Sequence, residues 1–165
     1  ISRMIQKTII SHLPKHLKNY ICYSDMRKLN QVSLDLINSM NKNTLMEKLG
    51  IECIELGEDY VVSKMPVDNR THQPMGLLHG GASAALIESI GSMGSTLLLD
   101  ITKQHPVGIE INANHVGGIR SGNVIARGKI LHAGKRTHLW QVDIKEEGTE
   151  KLICTGRLTV MIVDI

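Results

Sequence analysis

The chain has 165 residues, of which 42% are hydrophobic and 21% charged, and its net charge is only +3. This composition is typical of one globular domain with a short extension and excludes a disordered chain. The apolar runs are a few residues long, whereas a membrane helix needs roughly 20, so we expect no integral membrane segment. Three Tyr, one Trp and no Phe leave no platform for stacking bases, so we expect no nucleic-acid partner.

The N-terminal residues 1–33 are interpreted as a basic extension. Residues 1–44 hold seven Lys or Arg and two Asp or Glu, whereas the rest of the chain is slightly acidic. Aliphatic residues recur at four-residue spacing, interrupted by Pro14, and they are Ile5, Ile9, Leu13, Leu17 and Ile21. Such a segment could lie on a membrane surface, dock on a partner or serve as a targeting sequence. The simpler interpretation is a helical extension that packs on its own domain or stays mobile.

The cysteines and histidines predict neither disulfides nor a metal site. Cys22, Cys53 and Cys154 are an odd number, are widely spaced and form no Cys-x-x-Cys pair. The eight histidines do not cluster with cysteines or acids at ligand spacing. We therefore expect free thiols in a reducing cytoplasm, and neither a metal nor another cofactor.

From residue 34 the hydrophobic pattern becomes regular and predicts one domain over residues 34–165. In chain order it favours two short helices, two strands, one long helix and four strands. Their predicted bounds are 34–40, 44–49, 51–56, 60–67, 80–99, 107–116, 123–132, 137–145 and 151–163. An antiparallel sheet that buries one face against the single long helix is the economical arrangement, which is an α+β fold.

The start of the long helix carries the first candidate chemistry. Backbone N–H groups at a helix N-terminus are unpaired and partly positive, and Gly80 and Gly81 would let another molecule approach them closely. Such amides can form the hole that stabilises an oxyanion during acyl transfer. The simpler interpretation is a plain helix start, with His79 beside the cap and the glycines as loop residues.

Glu88 is the second candidate, because an acid among small and apolar neighbours on a sheet-facing helix is costly to bury without a partner or a task. Ser92 lies one turn further on, where its hydroxyl could hold the carboxylate or a water. An exposed Glu on the helix surface is the alternative. Gly80 and Glu88 are eight residues apart, about 12 Å along a helix, so one helix cannot apply both to one carbonyl. A two-fold dimer with antiparallel helices would bring them together.

Two segments resemble a known family. Residues 66–92, which include PVDNRTHQPMGLLHGG and ESIGS, and residues 108–116, GIEINANHV, are similar to the hotdog-fold acyl-CoA thioesterases of the phenylacetate/4-hydroxybenzoyl-CoA type. Among these, the similarity is greatest to 1,4-dihydroxy-2-naphthoyl-CoA hydrolases, and it covers about residues 34–163. The resemblance implies a hotdog fold, in which the antiparallel sheet wraps around the central helix. It also implies hydrolysis of an acyl-CoA or aroyl-CoA to the free acid and CoA by a homo-oligomer, usually a dimer of dimers.

The resemblance further implies roles for individual residues of the reacting site. Glu88 would be the nucleophile or the general base, and Ser92 would orient the water or the carboxylate. The Gly80 amide would polarise the thioester carbonyl, with His79 and Gln73 beside it. No metal would take part in this chemistry.

Substrate-binding roles follow from the same resemblance. Gly81 would contact the substrate, and His115 would line the acyl or pantetheine channel. A hairpin would meet the CoA phosphates through basic side chains and backbone amides, and its residues are Lys135, Arg136 and Thr137. One position departs from the family: Gly117 stands where close relatives often have Arg. The resemblance therefore does not carry over one phosphate contact at this position, and Arg120 is near enough in sequence to replace it.

Two alternative functions stay open from the sequence. A hydratase or dehydratase of acyl thioesters could use the same fold, but it needs a His poised beside an acid, and His79 stands at the helix start, away from Glu88. A non-catalytic acyl-CoA sensor with a DNA-binding segment ahead of a hotdog domain would explain the basic extension. However, residues 1–33 are few for a helix-turn-helix and a linker, and a sensor needs neither Glu88 nor Ser92.

Overall fold

The computed structural model describes residues 29–165. Most of the predicted N-terminal extension, including its regularly spaced aliphatic residues, lies outside the described residues. Leu29 is fully buried in the hydrophobic core, so contacts of the domain reach back to this residue, and the predicted boundary at residue 34 stays a prediction. Within residues 29–165, none of the helices combines the length and the apolar character that crossing a bilayer requires.

Three short helical segments precede the sheet: a 3₁₀ turn at Leu29–Gln31, helix α1 at Leu34–Met40 and helix α2 at Leu45–Leu49. Two strands follow, β1 at Glu52–Leu56 and β2 at Tyr60–Val67, and then the long helix α3 at Gly80–Leu97. The remaining strands are β3 at Gln104–His115, β4 at Gly122–Ala133, β5 at Thr137–Glu146 and β6 at Leu152–Asp164. The predicted order of helices and strands over residues 34–165 is confirmed, with only small shifts at the ends of most elements.

One sheet contains the six strands of residues 29–165 in the order β1-β2-β4-β5-β6-β3, and neighbouring strands are antiparallel. Helix α3 packs on one face of this sheet, so buried and exposed side chains alternate along the central strands. On β5, for example, Trp140, Val142 and Ile144 are fully buried on the helix side. The predicted α+β hotdog fold, a sheet wrapped around one central helix, is therefore confirmed.

Two glycines of α3 allow the helix to lie close against the sheet. A Cβ at Gly94 would lie 2.3 Å from the Trp140 ring, and one at Gly91 would lie 2.4 Å from the Leu158 side chain. The indole fills the space that these glycines leave, and its Nε1–H donates to the buried Ser95 Oγ at 2.9 Å. The glycines lower the helix propensity, but they permit a dense contact that larger residues would prevent.

Strand β3 forms one edge of the sheet and runs beside α3, and its outer side has no strand partner within residues 29–165. A β-bulge interrupts its pairing with β6 between Gly108 and Glu110. Three aliphatic side chains along this edge are at least 40% exposed, namely Val107, Ile109 and Ile111. A long edge with free backbone groups and exposed apolar side chains is a template for pairing with another strand.

We predict that Gly94→Ala lowers the melting temperature, although alanine is favoured over glycine in helices by about 1 kcal/mol. The added methyl would overlap the Trp140 ring, and overpacking of a core costs about 1–3 kcal/mol, so a net loss of a few degrees is expected. Thermal unfolding followed by circular dichroism measures it. Gly118→Ala is the matched control, because a Cβ there meets only the end of the Leu77 side chain, at 3.3 Å. An unchanged or raised melting temperature for Gly94→Ala would contradict the packing argument.

Candidate active site

Helix α3 begins with an N-cap at His79. The Gly81 N–H donates to Nδ1 of His79 at 2.7 Å, and the N–H groups of Ala82 and Ser83 donate to the His79 carbonyl. Among residues 29–165, no acceptor takes the Gly80 N–H. The helix therefore presents one unpaired amide at its positive end, and this amide belongs to Gly80.

Both glycines at the start of α3 accommodate rings of the same chain. A Cβ at Gly80 would lie 2.8 Å from Nε2 of His115, and a Cβ at Gly81 would lie 2.9 Å from Nδ1 of His79. These rings give a reason for the glycines within the chain itself, besides the predicted approach of another molecule. Because His79 already accepts the Gly81 N–H, the predicted substrate contact of Gly81 would have to involve its other atoms.

Glu88 is half-buried on the side of α3 that faces β3. Its Oε1 accepts a hydrogen bond from Ser92 Oγ at 2.7 Å, so the expected contact between the two side chains is present. The carboxylate also lies against the backbone of Gly108, where a Cβ would be 2.5 Å from Oε1 and 2.9 Å from Oε2 of Glu88. The carboxylate is therefore held between the Ser92 hydroxyl and the edge strand.

Gly108 is a position in the site that sequence reasoning missed. The motif GIEINANHV begins with it, and a glycine inside a strand pattern indicates a bulge or the close approach of another group. Both occur here, since the bulge of β3 follows Gly108 and the Glu88 carboxylate occupies the place of a side chain. Any larger residue would push this carboxylate away from the strand.

The predicted neighbours of Gly80 come from separate segments. His115 ends β3 and places its ring over Gly80, whereas Gln73 lies in the loop between β2 and α3. This loop is joined to the helix start by the His79 N–H, which donates to the Thr71 carbonyl at 2.8 Å. The structure thus groups Gly80, His79 and His115 at the N-terminus of α3, with the Gln73 loop attached.

The hairpin between β4 and β5 carries the residues predicted to meet the CoA phosphates, Lys135, Arg136 and Thr137. All three are exposed. Thr137 and Val107 both pair with Met161 of β6, and Val107 directly precedes Gly108. The hairpin therefore lies at the Glu88 end of β3, two strand spacings or about 10 Å from it.

Gly117, where the resemblance implies an arginine, is packed against β6. A Cβ there would lie 2.5 Å from the Leu152 carbonyl oxygen, so this backbone has no room for an arginine side chain. Arg120, the predicted replacement, donates through Nη1 to the Met75 carbonyl at 2.9 Å. A guanidinium has five N–H groups, and this hydrogen bond uses one of them. The others could still bind a phosphate, so the phosphate contact of Arg120 stays a prediction.

Cys154 pairs with His115 across β6 and β3 and is therefore a nucleophile to consider near the helix start. Its side chain is fully buried, and this burial raises the pKa of the thiol. The reactive thiolate is disfavoured as a result. The burial of Cys154 therefore argues against a reactive Cys–His pair at this position.

An exposed ion pair holds the start of the Gln73 loop. The Arg70 guanidinium donates through Nη2 to Oδ2 of Asp68 at 2.6 Å. Hydrogen bonds from the Arg70 side chain and backbone lower the pKa of Asp68 to about 2, so this carboxylate stays charged under ordinary conditions. Asp68 is therefore a structural anion of the loop and is not available as a proton carrier near neutral pH.

Within one chain, the predicted catalytic residues form two clusters. Gly80 lies with His79 and His115 at the N-terminus of α3, and Glu88 lies with Ser92 about 12 Å further along the helix. No group of three His, Cys, Asp or Glu within residues 29–165 is placed to hold a metal ion. One cluster contains the unpaired Gly80 amide and the other the Glu88 carboxylate, and a single copy does not bring them together.

A sequence model of the thioesterase superfamily matches residues 75–153, a range that includes the helix start and Glu88. A 1,4-dihydroxy-2-naphthoyl-CoA hydrolase of Escherichia coli is 44% identical over 133 residues, which are 81% of this chain and 96% of that protein. A proofreading thioesterase of Cronobacter turicensis is 42% identical over 132 residues, which are 80% of this chain and 95% of that protein.

Structural similarity agrees with these sequence matches. The crystal structure of a thioesterase from Haemophilus influenzae is 42% identical in sequence and superposes with a TM-score of 0.79. The superposition covers 84% of this chain and 96% of that chain. The likeness therefore extends over most of the chain, and not only over the motif at the helix start.

Proposed function

The chain belongs to the thioesterase superfamily and is a thioester hydrolase, and on this premise we propose that it hydrolyses an acyl-CoA or aroyl-CoA to the free acid and CoA. In this proposal Glu88 is the general base or the nucleophile, and the Gly80 amide stabilises the oxyanion. The observation that carries the proposal is the position of the Glu88 carboxylate, which Ser92 holds at the open edge of the sheet.

A second copy of the chain would complete the site by pairing its β3 with the β3 of the first. The free edge and the exposed aliphatic side chains of this strand favour such pairing. In an antiparallel pairing centred between Ile111 and Asn112, Gly108 of one copy would face His115 of the other. Since His115 covers Gly80 within its own chain, the Gly80 amide of the second copy comes next to Glu88 of the first. A two-fold dimer then holds two equivalent sites.

The proposed reaction uses only groups that the chain, the substrate and water supply. As general base, Glu88 removes a proton from water while the water oxygen attacks the thioester carbonyl carbon. The carbonyl oxygen becomes an oxyanion at the Gly80 N–H, the C–S bond breaks, and CoA leaves as a thiolate that takes up a proton. As nucleophile, the carboxylate would attack first, and water would hydrolyse the resulting anhydride. One oxyanion donor contributes about 3–4 kcal/mol, and a placed base contributes about 10²–10⁴-fold.

The proposed substrate carries CoA because the hairpin with Lys135 and Arg136 offers exposed cations for an anionic nucleotide. The Escherichia coli relative is named a 1,4-dihydroxy-2-naphthoyl-CoA hydrolase, which supports an aroyl-CoA as the first substrate to test. A panel of acyl-CoA and aroyl-CoA substrates compared by kcat/KM would identify the acyl group.

We further propose that the protein forms a dimer of dimers, which light scattering can test. We also propose that it is located in the cytoplasm, which cell fractionation can test.

We predict that Glu88→Gln lowers kcat by at least about 10²-fold and leaves the fold intact. Glutamine keeps the size of the side chain and can still contact Ser92, but it can neither take up a proton nor attack the thioester. Release of CoA, followed with a thiol reagent, measures the effect and also separates hydrolysis from hydration of an acyl double bond. Glu52→Gln makes the same change at an exposed position of β1 and is the control. Near-normal turnover by Glu88→Gln would refute the mechanism.

A mixture of two inactive proteins tests whether the site is shared. Gly80→Pro removes the backbone N–H, and proline is tolerated at the first helical position. We predict that this change lowers kcat about 10²–10³-fold, because the oxyanion loses its donor. Mixed dimers with Glu88→Gln in the other copy would contain one intact site, so subunit exchange should restore up to about a quarter of the wild-type activity.

The control for the proline variant is Gly80→Ala. Alanine keeps the N–H and introduces the same Cβ beside His115, so it should lose much less activity than proline. Mass spectrometry of differently tagged copies confirms the exchange. Confirmed mixed dimers that stay inactive would show that Gly80 and Glu88 do not act across two copies.

We predict that Lys135→Ala/Arg136→Ala raises KM for an acyl-CoA and leaves kcat unchanged, because contacts to the CoA phosphates bind substrate and transition state alike. An arginine can hold a phosphate through two parallel hydrogen bonds, whereas lysine acts as a point charge. The comparison is with a truncated acyl-pantetheine, whose KM should not change. The variant Lys42→Ala/Lys48→Ala removes two exposed cations elsewhere and is the control. An equal penalty on both substrates would exclude a phosphate site at the hairpin.

A further inference from the structure

The loop between β2 and α3 is a closed unit that carries Gln73. His72 and Leu78 form an isolated antiparallel bridge at its base. The Gln73 N–H donates to the Leu77 carbonyl at 2.8 Å, and the Gly76 N–H donates to the Gln73 carbonyl at 2.9 Å. Gly76 has a φ of +72°, which suits glycine at such a tight turn. The loop therefore keeps its shape through its own backbone hydrogen bonds.

Besides the backbone hydrogen bond from the Leu78 N–H to the Ile119 carbonyl at 2.9 Å, two side-chain hydrogen bonds join this loop to the segment that follows β3. Nη1 of Arg120 donates to the Met75 carbonyl at 2.9 Å, and Nε2 of His72 contacts the Arg120 carbonyl at 2.8 Å. Since a carbonyl only accepts, His72 Nε2 carries the hydrogen in this contact. The two bonds run in opposite directions between the same segments, and we call this pair of contacts the Arg120–His72 clamp.

The clamp acts on the residue that orients the Gln73 side chain. Oε1 of Gln73 accepts a hydrogen bond from the Met75 N–H, and the carbonyl of the same Met75 is the one that Arg120 holds. With its oxygen engaged, the Gln73 carboxamide has its two N–H groups left to donate to a substrate. A carboxamide free to turn over would present its oxygen as often as its N–H groups, and its oxygen would repel a developing oxyanion.

The base of the loop is fixed to the start of helix α3 by hydrogen bonds. The His79 N–H donates to the Thr71 carbonyl at 2.8 Å, and Thr71 is itself buried, with Oγ1 donating to the Pro66 carbonyl at 3.0 Å. A displacement of the loop tip would therefore move Gln73 relative to the Gly80 amide, while the base of the loop stays in place.

We propose that Arg120 is a positioning residue for thioester hydrolysis, which through Met75 aims the Gln73 N–H groups at the thioester carbonyl oxygen that the Gly80 amide also meets. This inference rests on the proposed function, in which Gln73 lies beside Gly80 in the site. Arg120 itself does not touch the thioester. Its effect should therefore appear in the reaction step and should not depend on the nucleotide part of the substrate.

The first test is Arg120→Met, which removes the guanidinium and keeps an apolar stem. We expect kcat to fall about ten- to a hundredfold, the order expected when a reacting group is misplaced. The factor should be the same for an acyl-CoA and for the truncated acyl-pantetheine, with little change in KM. Arg120→Lys keeps one donor for the Met75 carbonyl and should recover part of the loss. Circular dichroism at the assay temperature checks that both variants are folded.

Arg70→Met is the matched control. It removes an arginine from the base of the Gln73 loop, which pairs with Asp68. The Arg120 contact with the Met75 carbonyl at the loop tip remains, so kcat should fall much less than in Arg120→Met. A rise in KM for the acyl-CoA alone after Arg120→Met would assign Arg120 to a phosphate and overturn the positioning role. Unchanged kcat and KM in folded Arg120→Met would overturn it as well.

The second test combines Arg120→Met with Gln73→Ala. If Arg120 acts through Gln73, the double variant loses no more activity than Gln73→Ala alone. If the loss of activity in the double variant equals the product of the two single losses, Arg120 does not act through Gln73. That result would overturn the positioning role and leave the proposed function unaffected. If instead Glu88→Gln retains activity, the proposed function itself fails, whatever Arg120 contributes.

Discussion

The buried contact between Trp140 and helix α3 is the interaction on which the geometry of the molecule depends. Gly94 permits the ring to approach, and the indole N–H donates to Ser95, so both the distance and the rotation of the helix about its axis are set. Ser95 lies seven residues after Glu88, which is nearly two full turns. Fixing the direction of Ser95 therefore also directs Glu88 towards the edge strand, where its carboxylate lies against Gly108.

A helix that carries both an oxyanion donor and a carboxylate has a geometric limitation. The donor must lie at the N-terminus, where an amide is unpaired, and Glu88 must lie far enough along to be held by Ser92 on a regular helix. The resulting separation of about 12 Å leaves each half-site open on the side of β3. The unpaired edge of β3, a liability for aggregation in an isolated copy, becomes useful when a second copy supplies the missing half.

Sequence reasoning succeeded where the pattern is local and failed where distant residues meet. Alternation and turn residues predict β2 with the bounds that the structure has, and helical spacing predicts the start of α3 at Gly80. The burial of Leu29 and the contact of Gly108 with Glu88 join residues far apart in the chain, so no periodicity reports them. His79 was placed beside the cap but was not identified as the acceptor that occupies the Gly81 N–H, because that role depends on a side-chain rotamer. The cytoplasmic location stays a prediction.

The glycine at position 117, where the resemblance implies an arginine, determines the course of the chain after β3. Because a Cβ there would collide with the Leu152 carbonyl oxygen, this residue can lie directly on β6, and the Val116 and Gly117 N–H groups both donate to the Ile153 carbonyl. That anchorage directs the next residues towards the loop before α3, where Arg120 reaches the Met75 carbonyl. An arginine at position 117 would require the backbone to move away from β6. This movement would also displace the backbone of Arg120 and therefore its side chain. Glycine at position 117 therefore provides no cation there, but it allows the guanidinium of Arg120 to be held by the Met75 carbonyl.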